Sequence, residues 1–166
     1  MDTENIIDKN LDDALEKIPE LFSYVRMIYV KATINNVDVK MLVDSGAQKS
    51  IMPRNIAILC NIEHLIDTKC QGEVAGVGSI QSIVGKIHMI DMQLPVNSND
   101  EQKVEISCGF TVLDTGITLE NEDIGIIFGL DMLVSYGAQL DFKKRIMNIH
   151  GYEFDFLSQE SADKLF

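Results

Sequence analysis

The sequence predicts a mostly β fold: a small closed barrel with one or two short helices set into it. Three observations lead there. From Tyr24 onward, runs rich in Val, Ile and Tyr are separated by turn residues. Helical periodicity is limited to the start of the chain and to two short later runs. Glycines cluster at one tip, 76–78, and at the ends of apolar runs, as at Gly129 and Gly137.

The first element is helical. In "DKNLDDALEKIPELF" (8–22), Ile7, Leu11, Leu15 and Ile18 recur four and three apart and share one helical face. Asp8 or Asn10 is a candidate cap, and Pro19 closes the run by removing a backbone donor. Ile28, Val30, Ala32 and Ile34 then alternate as a strand. "INNVDVK" turns that strand through Asn-Asn into a second one, which runs straight into Asp44. Ile56, Leu59 and Cys60 suggest a short helix after Pro53.

Residues 73–96 read as two strands flanking a glycine-rich tip, with Ile83, Gly85, Ile87 and Met89 on one side. "NSNDEQK" (97–103) reads as a polar loop, 104–114 as a strand, and "TGITLENED" as another loop. "IGIIFG" is a buried strand. "LDMLVSYG" is a short helix with Leu130, Leu133 and Val134 on one face and Gly137 as its stop. The rest, "AQLDFKKRIMNIHGYEFDFL", forms strands joined by a basic turn.

Composition narrows the function. The 166 residues are 46% hydrophobic and 24% charged, enough apolar material for one packed domain. A net charge of −12 argues against nucleic acid, whose phosphates must be met by Lys and Arg, and against anionic membranes. Three cysteines, Cys60, Cys70 and Cys108, without paired spacing make free thiols in a reducing compartment. "MDTENIIDKN" is too polar for a signal peptide, and no apolar run is long enough for a membrane span. The expected location is the cytoplasm or nucleus.

Two stretches carry chemistry. "LVDSG" (42–46) and "VLDTG" (112–116) both have apolar residues, Asp, a hydroxyl residue and Gly. That is the loop pattern of aspartic proteases, in which two neighbouring carboxylates share one proton and activate a water. Ser45 is placed to brace the loop, Gly46 allows its tight turn, and Ala47 continues it. The residues downstream of each Asp separate the two. After Asp44 come a candidate flap at Gly76, Val77, Gly78 and Ser79, a second buried strand with Ile127 and Gly129, and a helix. After Asp114 the "IIFG" run arrives too soon for a flap to intervene. Asp114 therefore reads as a strand exit into a turn, where Asp, Thr and Gly are ordinary. One catalytic Asp per chain requires a homodimer with its two-fold axis through the site.

Other chemistries lack a pattern. His64, His88 and His150 are scattered without metal-binding spacing, so no metal or cofactor is expected. The glycine tip opens no helix and lacks a third glycine, so it is no phosphate loop. Cys60 in "LCNI" has no Cys-His protease signature.

Taken together, "MLVDSGAQKSIM", "GVGSIQSIVGKIH" and "IIFGLDML" resemble the retroviral-protease-like (retropepsin) domain of the eukaryotic DNA-damage-inducible ubiquitin-shuttle proteins. The resemblance implies a dimeric aspartic endopeptidase with Asp44 as catalytic residue. It also implies a polypeptide substrate, and ubiquitin or proteasome partners reached through domains that this chain lacks. On this view the chain is an excised central piece: the tail of a helical domain over 1–22, the retropepsin-like domain over 23–158 and a tail over 159–166. Ala47, Val77 and Ile127 would line apolar substrate pockets. A second reading stays open: a dimerisation and client-binding module with little turnover.

Overall fold

One predicted turn, between the first two strands, sets the start of the barrel. The computed structural model describes residues 3–22, 27–76, 79–119 and 122–166. Helix α1 (Thr3–Lys17) leads, and a 3-10 turn over Pro19–Phe22 comes next. Strands β1 (Tyr29–Ile34) and β2 (Val37–Val43) pair antiparallel from Tyr29↔Leu42 to Ile34↔Val37. The turn between them is the Asn35-Asn36 pair, with φ of 47° and 66°. Two left-handed residues make the type I′ turn that matches strand twist, and Asn tolerates that conformation better than most residues.

The chain continues with β3 (Ile51–Pro53), α2 (Arg54–Leu59), a 3-10 turn at Glu63–Leu65, β4 (Gly72–Gly76), β5 (Ser79–Val96) and β6 (Asn99–Leu113). Next come β7 (Thr118–Leu119), β8 (Glu122–Asp123), β9 (Ile126–Phe128), α3 (Leu130–Ser135), β10 (Gln139–Asp141), β11 (Ile146–Ile149), β12 (Tyr152–Asp155) and α4 (Gln159–Ala162). The main sheet runs β1-β2-β9-β3-β6-β5-β4, and β5 returns to β1 at Thr33↔Gln93. That pairing closes six strands into a barrel and leaves β4 outside, hairpinned on the first part of β5. A three-stranded sheet, β10-β11-β12, adds Met147, Ile149 and Phe154 to the core.

Both faces of β1 and β2 are largely covered. Val30, Ala32, Ile34, Val39 and Met41 point into the main core with Phe110, Phe128 and Phe154. Tyr29 and Leu42 join a second apolar cluster with Ile124, Ile127 and Ala162. Strands buried on two sides read as near-continuous apolar runs, which is how 41–43 and 126–128 look in the sequence.

The structure corrects several expectations. Helix α1 starts at Thr3, so Asp8 and Asn10 lie within it and do not cap it. Residues 97–103 are not a loop: Asn97 and Ser98, at φ of 49° and 56°, form a tight turn, and β6 begins at Asn99. Glu153 anchors that turn, its carbonyl accepting from the Asn97 N–H at 2.9 Å. Met89 points outward, 65% exposed, because the β5–β6 register slips between Ile87 and Ile90. A bulge inserts a residue and reverses the face of everything after it. Ile90, Met92 and Leu94 are inward instead. On α3 only Leu133 of the expected face is buried; Leu130 and Val134 are exposed. Gly137 does stop that helix, at φ 56°. The Ala138 N–H reaches Leu133 O and the Gly137 N–H reaches Val134 O, which is a Schellman closure. The segment 159–166, read as a tail, holds α4, with Ala162 buried and the Phe166 carbonyl accepting from the Lys40 N–H at 2.8 Å. The start of the first strand, expected from Tyr24, falls on 23–26, outside the described residues.

Candidate active site

Strand β2 ends at Val43, and the next residue is Asp44, whose N–H donates to Phe128 O at 3.1 Å. β2 and β9 run parallel, with Leu42↔Ile127 and Val43↔Phe128 in register. Two buried parallel strands therefore deliver Asp44 and Gly129 to the same end of the barrel. The loop turns at once: the Gly46 N–H donates to Asp44 Oδ1 at 2.8 Å, and the Ala47 N–H to Asp44 O at 3.3 Å. The half-buried Asp44 carboxylate is thus held by a backbone donor, whose own position does not depend on a side-chain rotamer.

Gly129 is needed for a steric reason. A Cβ there would stand 2.6 Å from Lys49 O and 2.8 Å from Ala47 O. The strand-to-helix step at 129–131 lies directly on the Asp44 loop, with the Leu130 N–H donating to Ala47 O at 2.7 Å. Ala47 also packs against the second apolar cluster. Asp44, Gly46, Ala47, Ile127 and Gly129 therefore come together at one end of the barrel.

Ser45 follows Asp44 in the turn. Its side chain is exposed, and its hydroxyl makes no hydrogen bond among the described residues. Within the chain the loop is braced by Ser50 and Asp131, which the motif reading passed over. Buried Ser50 Oγ donates to Asp131 Oδ1 at 2.8 Å and accepts from the Gly129 N–H at 3.0 Å. The Ser50 N–H donates to Asp131 Oδ2 at 3.1 Å. An Asp directly after the Gly-Leu that opens α3 was the available signal, since an acidic residue in a first helical turn commonly binds backbone donors. Cys108 lies beside this pair: burial first, and then the charge of Asp131, push its thiol up to about 12.

Ile127 lies within β9. It is 7% exposed, covered by Tyr29, Leu42 and Ile124 in the second cluster. The candidate flap is a true hairpin, β4 on β5, paired up to Gly76↔Ser79. Its tip residues Val77 and Gly78 lie outside the described residues. Asp114 sits elsewhere, just past the end of β6. Its N–H donates to Ser82 O at 3.1 Å, and its carboxylate lies 3.7 Å from Arg54 Nη1. It is 57% exposed in a bend, as a strand exit should be.

Comparison with known proteins agrees with this arrangement. The family model described as aspartyl protease matches residues 19–141, most of the chain. The chain belongs to the aspartyl protease family. Among curated relatives of this aspartyl protease domain, the UBA domain-containing protein Mud1 of Schizosaccharomyces pombe is 36% identical over 98% of the chain. DNA damage-inducible protein 1 of Neurospora crassa is 35% identical over 95% of it. The chain spans 45% and 33% of the length of those two relatives. The crystal structure of the retroviral protease-like domain of Ddi1 from Leishmania major superposes with a TM-score of 0.61. It is 30% identical, and the match covers 82% of this chain and 97% of that one. The fold is that of a retropepsin-like domain of the DNA damage-inducible family.

Proposed function

We propose that the chain is the catalytic domain of a dimeric aspartic endopeptidase, with Asp44 as the catalytic residue. The observation that carries this reading is the fixed presentation of Asp44 at the end of β2, gripped by the Gly46 N–H and wedged by Gly129. One chain supplies one such carboxylate. Two copies about a two-fold axis bring two together. At close range the pair holds a single proton, since two adjacent negative charges repel strongly. The ionised Asp44 takes a proton from water, which attacks the scissile carbonyl carbon. The protonated Asp44 of the partner subunit donates to the carbonyl oxygen. Collapse of the tetrahedral intermediate breaks the C–N bond, and the amine leaves with a proton from the pair. The β4–β5 hairpin is the element suited to hold an extended substrate as an added strand. The relative named for a UBA domain supports ubiquitin-tagged or proteasome-directed proteins as the substrates.

The test is cleavage of a mixed peptide pool from acidic to neutral pH, with solution mass measured on each variant. Asp44→Asn abolishes cleavage in a dimer and Asp114→Asn retains it. Loss of cleavage in Asp114→Asn, with fold and dimer intact, overturns the assignment. Absence of cleavage in every variant favours a client-binding module of the same fold.

A further inference from the structure

Three ligating side chains meet away from the Asp44 loop, on the outer side of β5. Asp67 and Lys86 exchange backbone hydrogen bonds at 2.8 and 3.1 Å, clamping the 66–70 turn onto β5. Gly85 permits this approach, since a Cβ there would stand 2.5 Å from Asp67 O. Two residues past Lys86, His88 Nε2 lies 2.9 Å from Asp67 Oδ2. The turn folds Cys70 back, so that its Sγ lies 4.0 Å from the same oxygen. The three ligand atoms all lie within 4.8 Å of one another.

We infer that Asp67, Cys70 and His88 form a binding site for a thiophilic divalent cation, with Zn²⁺ the best match. A thiolate, an imidazole and a carboxylate are the ligand types zinc takes, and three protein ligands leave its fourth tetrahedral position to water. Zinc–ligand bonds of about 2.0–2.3 Å place neighbouring ligand atoms about 3.4–3.8 Å apart. The observed 2.9 and 4.0 Å bracket that spacing and all three atoms lie within 4.8 Å, so modest side-chain shifts bring them to it. Asp67 Oδ1 is already occupied by the Lys69 N–H at 3.0 Å, which orients Oδ2 toward the other two ligands. The His88–Asp67 contact and a long hydrogen bond from the Cys70 thiol already gather the three side chains on one carboxylate oxygen. A bound cation ties the turn to β5 and stiffens the base of the β4–β5 hairpin.

Cys70 can be followed by itself. It is exposed, whereas Cys60 and Cys108 are buried, with thiols pushed up to about 11 and about 12. The experiment titrates the chain with Zn²⁺ and with Co²⁺, following cobalt absorption and the reaction of Cys70 with a thiol reagent. One cation binds per chain, cobalt shows a thiolate charge-transfer band, and zinc slows Cys70 modification at least about tenfold. Cys70→Ser loses the band. His88→Ala and Asp67→Asn each weaken binding at least about tenfold, and the exposed His64→Ala does not. Unchanged Cys70 reactivity under zinc, or wild-type affinity in Cys70→Ser and His88→Ala, overturns the site. Neither readout involves peptide cleavage, so the result is independent of the proposed activity.

Discussion

Ser50 and Asp131, 81 positions apart, share a two-point contact that locks the Asp44 loop to the start of α3. Ser50 Oγ is also the acceptor for the buried Gly129 N–H. Ser50→Ala removes an acceptor and a donor at once. An unsatisfied buried polar group costs about 1–3 kcal/mol, so the urea midpoint falls by that equivalent with an unchanged slope. Peptide cleavage falls further than the loss of folded protein accounts for, because the loop loses its brace. A cleavage loss that merely tracks the unfolded fraction contradicts the bracing role.

Gly129→Ala tests the close approach of strand and loop. The added methyl meets two backbone carbonyls, which cannot swing aside as a flexible side chain would. Overpacking of this kind costs about 1–3 kcal/mol. The chain stays folded at room temperature but loses cleavage, as the loop is pushed off its position. Retained cleavage would show that the loop tolerates the shift.

Phe128→Ala tests the support under Asp44. Phe128 is fully buried, and its carbonyl accepts from the Asp44 N–H. Truncating a buried Phe costs about 3–5 kcal/mol through lost burial and the cavity left behind. Equilibrium unfolding reads this directly. Phe142→Ala, at a 66% exposed site, shifts the midpoint by far less.

The pH dependence has a local source at the β1–β2 hairpin. Burial disfavours charge on Asp38, but hydrogen bonds from Thr33 and Lys31 outweigh it and hold the carboxyl below its usual range. At Lys31 burial is likewise outweighed by Asp100 and Asp38, and the ammonium is raised. A carboxyl lowered on folding stabilises above its unfolded pKa of about 3.9, and that stability is lost as pH falls through the folded value. A lysine raised on folding stabilises below about 10.4, and that stability is lost as pH rises through the folded value. Asp38 is 41% exposed, so solvent screening keeps the pair small. Asp38→Asn costs about 0.5 kcal/mol at pH 7, less in high salt, and the cost fades as pH falls through the folded value. A destabilisation that does not diminish at all as the acid limb is descended assigns it to packing instead.

Local features were legible in the residues alone. The left-handed Asn35-Asn36 turn, the Gly137 stop and the Asp-Ser-Gly turn each come from a few adjacent residues whose backbone preferences leave little choice. "IIFG" was legible as a buried strand because it is apolar throughout, but its parallel pairing with β2 was not. Features that depend on distant partners were settled by the folded arrangement. Met89 turns outward through a slip between β5 and β6, a property of two strands and not of the period within one. α3 buries Leu133 and leaves Val134 out, since the tilt of a six-residue helix is set by the strand it leaves. Ser50 finds Asp131, and Asp67 and Cys70 find His88, only because barrel closure and the Asp67–Lys86 bridge bring remote segments together. Spacing along the chain carries no trace of such pairs, because the contacts arise from strand pairing and not from sequence distance.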